Sequence, residues 1–447
     1  MSSITGTLRR RANALSPFAL WVIGLSILIA VGVVCGLMVL VNGLGITSLS
    51  NQVPWGLWIT VDLSAIALGA GAFSLSTIAY IFRVKAFRRI ARMAVFVGLV
   101  GYTSAMLALF MDIGRPERFW HPLVYWNIHS VLWEITMCVV LYSTVLIVEF
   151  APVVLESRIV RRWLPAGPKI GHFLHRFTPI VSIFGLGLSL LHQSSLGATY
   201  GVLVARPIWF KPSLPVMFIL SAVAAGSAFT LGVTVLYENL IRRRQITSQL
   251  RGYVALFAGL TMLAYLYLKL WDFLATSYYS HLPARVAALD LLNRSTPYNA
   301  TFWLIEMLFG ALVPAVILLW PRLRRVDSWI LAAAGLSVVG IIVNRWNVTL
   351  SGLIVPMDWS PGVAELFPVN AYFPSPIEWG VAAGVLGYSL LMLSLGLRFL
   401  PMFPDTDSDH DHTDARAVDH SVASADAHTD APAPDAPDAG RPQPGQG

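Results

Sequence analysis

Between Asp112 and Glu134 the chain reads DIGRPERFWHPLVYWNIHSVLWE. This one short connection gathers the carboxylates Asp112, Glu117 and Glu134, the imidazoles His121 and His129, and the guanidiniums Arg115 and Arg118. The indoles of Trp120, Trp126 and Trp133 lie among them. Long apolar runs flank it, and more ionisable residues sit inside such runs: Asp62, His192, Lys269, Asp272, Glu306, Arg345 and Glu378. A charge at membrane depth is costly and by default marks a functional site. Carboxylates and imidazoles beside aromatic walls suit proton exchange with a flat, lipid-soluble molecule, because they give and take protons near neutral pH. A quinone has those needs: hydrogen bonds to two carbonyl oxygens, an apolar slot, and a proton source or sink.

The elements that position these residues follow from composition. Only 12% of the 447 residues are charged, whereas 56% are hydrophobic. A soluble domain carries about twice that charged fraction. Apolar runs of roughly 20 residues, enough to span a bilayer, recur at about 18–41, 56–82, 91–111, 129–150, 174–196, 214–241, 252–275, 299–320, 329–350 and 377–400. The sequence predicts an all-α polytopic membrane protein of ten spans. The net charge of +7 does not point to nucleic acid, because the basic residues cluster in every second connection: Arg9–Arg11, Arg83–Arg92, Arg158–Arg176, Arg242–Arg251 and Arg322–Arg325. By the positive-inside rule both termini are then cytoplasmic, and the stretch opening at Asp112 faces outward. The first run follows three arginines but is too long for a signal-peptide core. It is expected to be a retained span, capped by Ser16 with Pro17 at its first turn.

Three regions result: a cytoplasmic segment 1–15, a ten-span domain 16–403, and a tail 404–447 that is acidic, rich in Pro and Ala, and unable to bury a core. The tail histidines His410, His412, His420 and His428 are read as part of this solvated tail rather than as metal ligands. Two parallel repeats are expected at about 56–196 and 214–350, because LSAIALGAGAFSLSTIAY in span two echoes LSAVAAGSAFTLGVTVLY in span six, and Glu134 echoes Glu306. Small residues at Ala224, Ala228 and Gly232, and at Gly380 and Gly384, are packing stripes. Lys269 and Asp272, three apart on a helix, are expected to pair. Arg345 is expected to neutralise Glu378 or Glu306, and Arg115 and Arg118 to pair with Asp112 and Glu117. Glu149 and Glu238 are read as snorkelling to water at the cytoplasmic boundary.

Cys35 and Cys138 are the only cysteines, so the chain alone cannot ligate an iron–sulfur cluster. His192 is the only histidine well inside a span, which argues against a bis-histidine haem. No metal set is read. Two alternatives stand beside quinone chemistry: a secondary transporter, which should show broken helices and a midplane site, and a purely structural anchor, which would not need Asp62, Glu134 and His192 at depth.

PWGLWITVD (Pro54–Asp62), DIGRPERFWHP (Asp112–Pro122), WNIHSVLWE (Trp126–Glu134) and HQSSLG (His192–Gly197) together resemble the NrfD/PsrC family of integral membrane subunits. Within it they are similar to the ten-span HybB-type subunit of membrane-bound nickel–iron hydrogenases. The resemblance covers roughly residues 15–400. It implies a quinone-reactive subunit of a respiratory oxidoreductase in a bacterial or archaeal cytoplasmic membrane, using menaquinone or ubiquinone and binding no haem or iron–sulfur cluster itself. It implies a ferredoxin-like iron–sulfur partner at the outer face, joined to a catalytic subunit: a hydrogenase, a molybdopterin reductase or a multihaem cytochrome. Its quinone pocket maps onto Trp58, Asp62, Asp112, His129, Glu134 and His192, with Asp62, Glu134 and His192 handling protons. Some members are thought to couple electron transfer to proton movement. Ser74, Ser76, Thr77 and Tyr80 are the inner-half residues available here for such a path.

Overall fold

The computed structural model describes residues 16–278, 283–294, 297–355, 358–360, 363–366 and 372–403. Residues 1–15, the tail 404–447 with its four histidines, and much of the connection after residue 355 lie outside the described residues. Ten helices are long and apolar enough to cross a membrane. They are α1 (Pro17–Asn42), α2 (Leu57–Tyr80), α3 (Arg88–Asp112), α4 (Val131–Leu155), α5 (Gly167–Gly201), α6 (Leu214–Ile241), α7 (Ser248–Ser277), α8 (Tyr298–Leu319), α9 (Asp327–Ile354) and α10 (Pro376–Phe399). The protein is an all-α, multi-pass membrane protein. A two-strand antiparallel hairpin, Asp358–Ser360 with Val363–Leu366, is the one departure among the described residues. The end carrying the arginine-rich connections is called the basic end below, and the opposite one the far end.

Helix starts follow their caps. The Ser16 hydroxyl accepts from Ala19 N with Pro17 in the first turn, as the sequence predicts. Ser130 caps α4 and Thr247 caps α7. Ser375 and Glu378 form a reciprocal capping box on α10, which satisfies two otherwise orphaned backbone donors.

Packing repeats itself. Helix α2 packs on α3, α4 on α5, α3 on α4 and α2 on α5; the same four pairings recur among α6, α7, α8 and α9. Between the groups α2 meets α6, α5 meets α6 and α9 meets α2, the pattern that two parallel repeats about a pseudo-twofold axis would produce. The central helices α2 and α6 are the most enclosed. They approach so closely that a Cβ on Gly71 would run into the Ala222 carbonyl. With lipid as apolar as any side chain, such close backbone contact replaces the hydrophobic effect as the glue between helices. Helix α1 packs mainly on α10 and exposes most of its length.

Three helices differ from the expected spans. Helices α5 and α9 run on past residues 196 and 350 to Gly201 and Ile354, so His192 and Arg345 lie nine residues (201 − 192 and 354 − 345) inside their helix ends. That is ~14 Å of depth, not a position near the surface. In α8, residues Thr301–Leu312 form a π-helix that ends just before Pro314. Proline lacks an N–H and its ring crowds the carbonyl four residues back, so the widened turns relieve a conflict that a regular α-helix would carry.

Candidate functional site

The predicted site residues fall into two polar groups in the first helix bundle. In one, the buried Trp58 indole donates to the Glu378 carbonyl at 3.1 Å. The Glu378 carboxylate accepts from Ser48 N at 2.9 Å, from Ser375 N at 2.8 Å and from the Tyr372 hydroxyl. Asp112 closes α3 with its Oδ1 buried. In the other group, Tyr102 on α3 and Nδ1 of the fully buried His192 share a 2.8 Å hydrogen bond. One turn on, Ser195 donates to Glu134 at 2.6 Å. Asp62 is buried one turn beyond Trp58 on α2. His129 stays outside, exposed in the far-end connection.

Several polar atoms here are buried without a hydrogen-bond partner: Oδ1 of Asp62, Oδ1 of Asp112, Nε2 of His192, and both amide atoms of Gln193. Nearly all buried polar atoms in proteins are paired, so each exception asks for an explanation such as a ligand. These residues bring donors and acceptors to helices α2, α3 and α5, the set a two-carbonyl ring needs, and the residues present therefore fit a quinone head. A separate cavity of about 340 Å³ lies between α1 and the end of α3, lined by Val39, Phe110, Met111, Gly114 and Glu117 and by none of these site residues.

The connection itself is pinned rather than loose. Trp133 donates to the Pro122 carbonyl at 2.8 Å and Trp126 to the Leu123 carbonyl at 3.0 Å. Arg118 meets Glu117 at 3.8 Å with both side chains more than half exposed, so that pair contributes little. No ion pair joins Arg115 to Asp112 among the described residues.

Four other expectations change. Lys269 does not pair with Asp272: it reaches across to Glu306 on α8 at 2.7 Å. Asp272 is held by Lys211 at 2.6 Å and Arg285 at 3.2 Å. Cations from neighbouring segments approach each carboxylate more directly than a helix neighbour three residues away. Arg345 pairs with neither Glu378 nor Glu306. Its guanidinium lies 3.7 Å from the Phe218 ring centre and donates to Asn344 Oδ1 and Ser221. Glu149 and Glu238 do not snorkel. Glu149 is buried and accepts from Ser76 at 2.9 Å and Ser182 at 3.0 Å. Glu238 is buried against Arg251 and accepts from Gln245 N and Ile246 N.

A second network occupies the matching place in the other bundle. Glu306 accepts from Tyr265, Asn344 and Asn347 as well as pairing with Lys269. Asn344 donates to the Tyr265 hydroxyl at 3.0 Å. Two bonds correspond between the networks, Tyr102–His192 with Tyr265–Asn344 and Ser195–Glu134 with Asn347–Glu306, while Glu306 also accepts directly from Tyr265 and Asn344. The sequence reading missed Tyr102, Tyr265 and the two asparagines. An amide inside an apolar span was the available signal, while the tyrosines carried none that set them apart from packing aromatics.

A family model described as polysulphide reductase, NrfD, matches residues 45–357. The chain belongs to the NrfD family. Among its relatives, the integral membrane subunit of menaquinone reductase from Nitratidesulfovibrio vulgaris is 34% identical, over 88% of this chain and 93% of that one. The "probable Ni/Fe-hydrogenase 2 b-type cytochrome subunit" of Escherichia coli is 27% identical, over 86% and 93%. The integral membrane subunit of an Hdr-like menaquinol oxidoreductase from Archaeoglobus fulgidus is 25% identical, over 82% and 89%. The expected NrfD-type membership is thus met, with a hydrogenase subunit among the relatives. The NrfD match spans α2 to α9, both helix groups, and leaves α1 and α10 outside it.

Proposed function

We propose that this NrfD-family chain is the quinone-reactive membrane subunit of a multi-subunit respiratory oxidoreductase in a cytoplasmic membrane, with the far end outward. The observation that carries the reading is the set of unpaired buried polar atoms on Asp62, Asp112, His192 and Gln193. A bound quinone supplies the two-electron, two-proton chemistry. Within the chain, His192 Nε2 and the Asp62 carboxyl hold or release protons at the ring oxygens. Tyr102 fixes the His192 ring through Nδ1, Ser195 orients Glu134, and Trp58 and Glu378 close the wall. Electrons pass to or from an iron–sulfur protein seated on the Trp120–Trp133 connection, and from there to a catalytic subunit. The printed names of the relatives support the reading: integral membrane subunits of a menaquinone reductase and a menaquinol oxidoreductase, and a cytochrome subunit of a hydrogenase. Menaquinone is the quinone they favour.

Coupling to protons has a candidate route through the inner half. Glu149 with Ser76 and Ser182 lies toward the basic end. Tyr142 stacks edge-on with Tyr102 at 4.6 Å, and Tyr102 reaches His192. These groups form a broken line of hydroxyls from Glu149 to the site, which bridging water would complete.

The test is quinol-linked electron transfer in the complex purified with its native partners. A positioned general acid or base contributes about 10²–10⁴-fold, so His192→Ala and Glu134→Gln should each lose turnover on that scale while the complex stays assembled. Unchanged turnover in both variants would sink the site.

A further inference from the structure

A cavity of about 110 Å³ lies in the second bundle under the short helix Pro283–Arg294, between the loop before α6 and the far-end halves of α7, α8 and α9. Its walls are apolar and aromatic, with Trp209, Phe273, Leu292 and Phe302 among them. Its polar groups are Lys211, Lys269, Asp272, Glu306, Asn293 and Asn347. The two ammonium groups are nearly buried, at 14% and 11% side-chain exposure. Each carries three N–H donors and makes one ion pair, Lys211 to Asp272 and Lys269 to Glu306. Donors therefore remain for an acceptor inside the cavity. The lining itself carries two ammoniums and two carboxylates, so it is charge-balanced, and the spare N–H groups suit a neutral guest with carbonyl acceptors.

We propose that this cavity is a second binding site for the ring of a quinone, separate from the site in the first bundle. Three observations converge on it. Cavities of roughly 150 Å³ hold a single benzene-sized ring, so the enclosed space takes the carbonyl-bearing ring of a quinone, with the second ring of a menaquinone left outside it. Aromatic walls with a few convergent donors suit a flat carbonyl-bearing guest. Glu306 and Asn347, which line the cavity, belong to a network with Tyr265 and Asn344 in which the Tyr265–Asn344 and Glu306–Asn347 bonds match Tyr102–His192 and Glu134–Ser195 of the first site, with Lys269 added and Asn344 in the place of His192. An asparagine amide in that place neither gives nor takes a proton. The second site therefore binds the ring without the first site's proton chemistry, as a holding place for exchange. The π-helical turns around Glu306 fit this assignment, since such turns gather at functional positions. The inference rests on the quinone-linked reading for the identity of the guest.

The test is photolabelling of the native complex in membranes with an azido-quinone, followed by mapping of the labelled peptides. Label is expected on the 283–294 segment, and Leu292→Trp, which fills the cavity from its lid, should reduce that label about tenfold, the change that ~1.4 kcal/mol of lost binding gives. Label on the His129–Glu134 segment should be unchanged by Leu292→Trp and lowered by His192→Ala. Label confined to His129–Glu134 overturns the second site and leaves the first standing. Label confined to 283–294 supports the second site and overturns the first. Label on neither segment overturns both. Label on 283–294 that excess phosphatidylglycerol displaces and unlabelled quinone does not would make the cavity a lipid site and overturn the proposal.

Discussion

Tyr102 and Lys269 show how single side chains hold the two polar networks. Tyr102→Phe strips the buried His192 Nδ1 of its partner, which costs about 1–3 kcal/mol and should appear as a lower thermal midpoint together with slower quinol turnover. Lys269→Met leaves Glu306 buried and uncompensated. Breaking such a pair costs about 3–5 kcal/mol, whereas replacing both partners is far milder. Lys269→Met paired with Glu306→Gln should thus recover much of the single variant's loss in thermal unfolding; no recovery would mean that the ion pair is not what holds this cluster. At this scale the sequence was informative wherever a charge sat in an apolar run, because water is absent there and the charge needs a reason. It was silent on who pairs with whom. Lys269 and Asp272 share a helix face, yet Lys211 and Arg285 come from segments whose approach no local spacing encodes.

Among the helices, α2 and α6 govern the fold through Gly71 and Gly226. Gly71→Val places a branched side chain against the Ala222 backbone. Overpacking costs about 1–3 kcal/mol even where side chains can give way, so at least that loss is expected, read as a lower unfolding temperature in detergent. At the start of α10, Tyr372 is bonded to Glu378. Burial first, and the neighbouring carboxylate second, push the Tyr372 hydroxyl above its ordinary value. A raised acid keeps its proton in the folded state, so its stabilisation is complete below about pH 10 and fades as pH climbs past that value. Tyr372→Phe should flatten the alkaline limb of a stability-against-pH curve; an unchanged limb would assign that pH dependence elsewhere. Span positions and caps were legible because length, hydropathy and Ser or Thr caps are local. The π-helix in α8 was not, since Pro314 signals a disturbance without saying whether the chain kinks or widens.

For the whole molecule, the alternation of arginine-rich connections predicts that the 113–130 segment lies outside. Ile128→Cys, at an exposed far-end position, should react in intact cells with a membrane-impermeant maleimide, and a cysteine introduced at the exposed Arg243 should react only after lysis. The reverse pattern would invert the orientation and remove the outward-facing site. Topology was readable because it depends on charge counts between spans. Lateral arrangement was not: lipid and protein interior are equally apolar, so the faces of α1 that meet lipid, such as Leu20, Ile27 and Val34, look like core in the sequence. The echo between spans two and six gave the one clue to which helices meet at the centre.

Helices α1 and α10 meet at Gly32 and Gly384 and lie beyond the residues that the family model matches, yet α10 brings Glu378 against Trp58. The Trp58 end of α2 is thus closed by an annex, α1 and α10, outside the matched residues. Trimming the annex would unroof Trp58 and Asp112 while leaving the Tyr102–His192 couple clasped in its bundle. The annex can therefore change around Trp58 while the Tyr102–His192 hydrogen bond stays as it is.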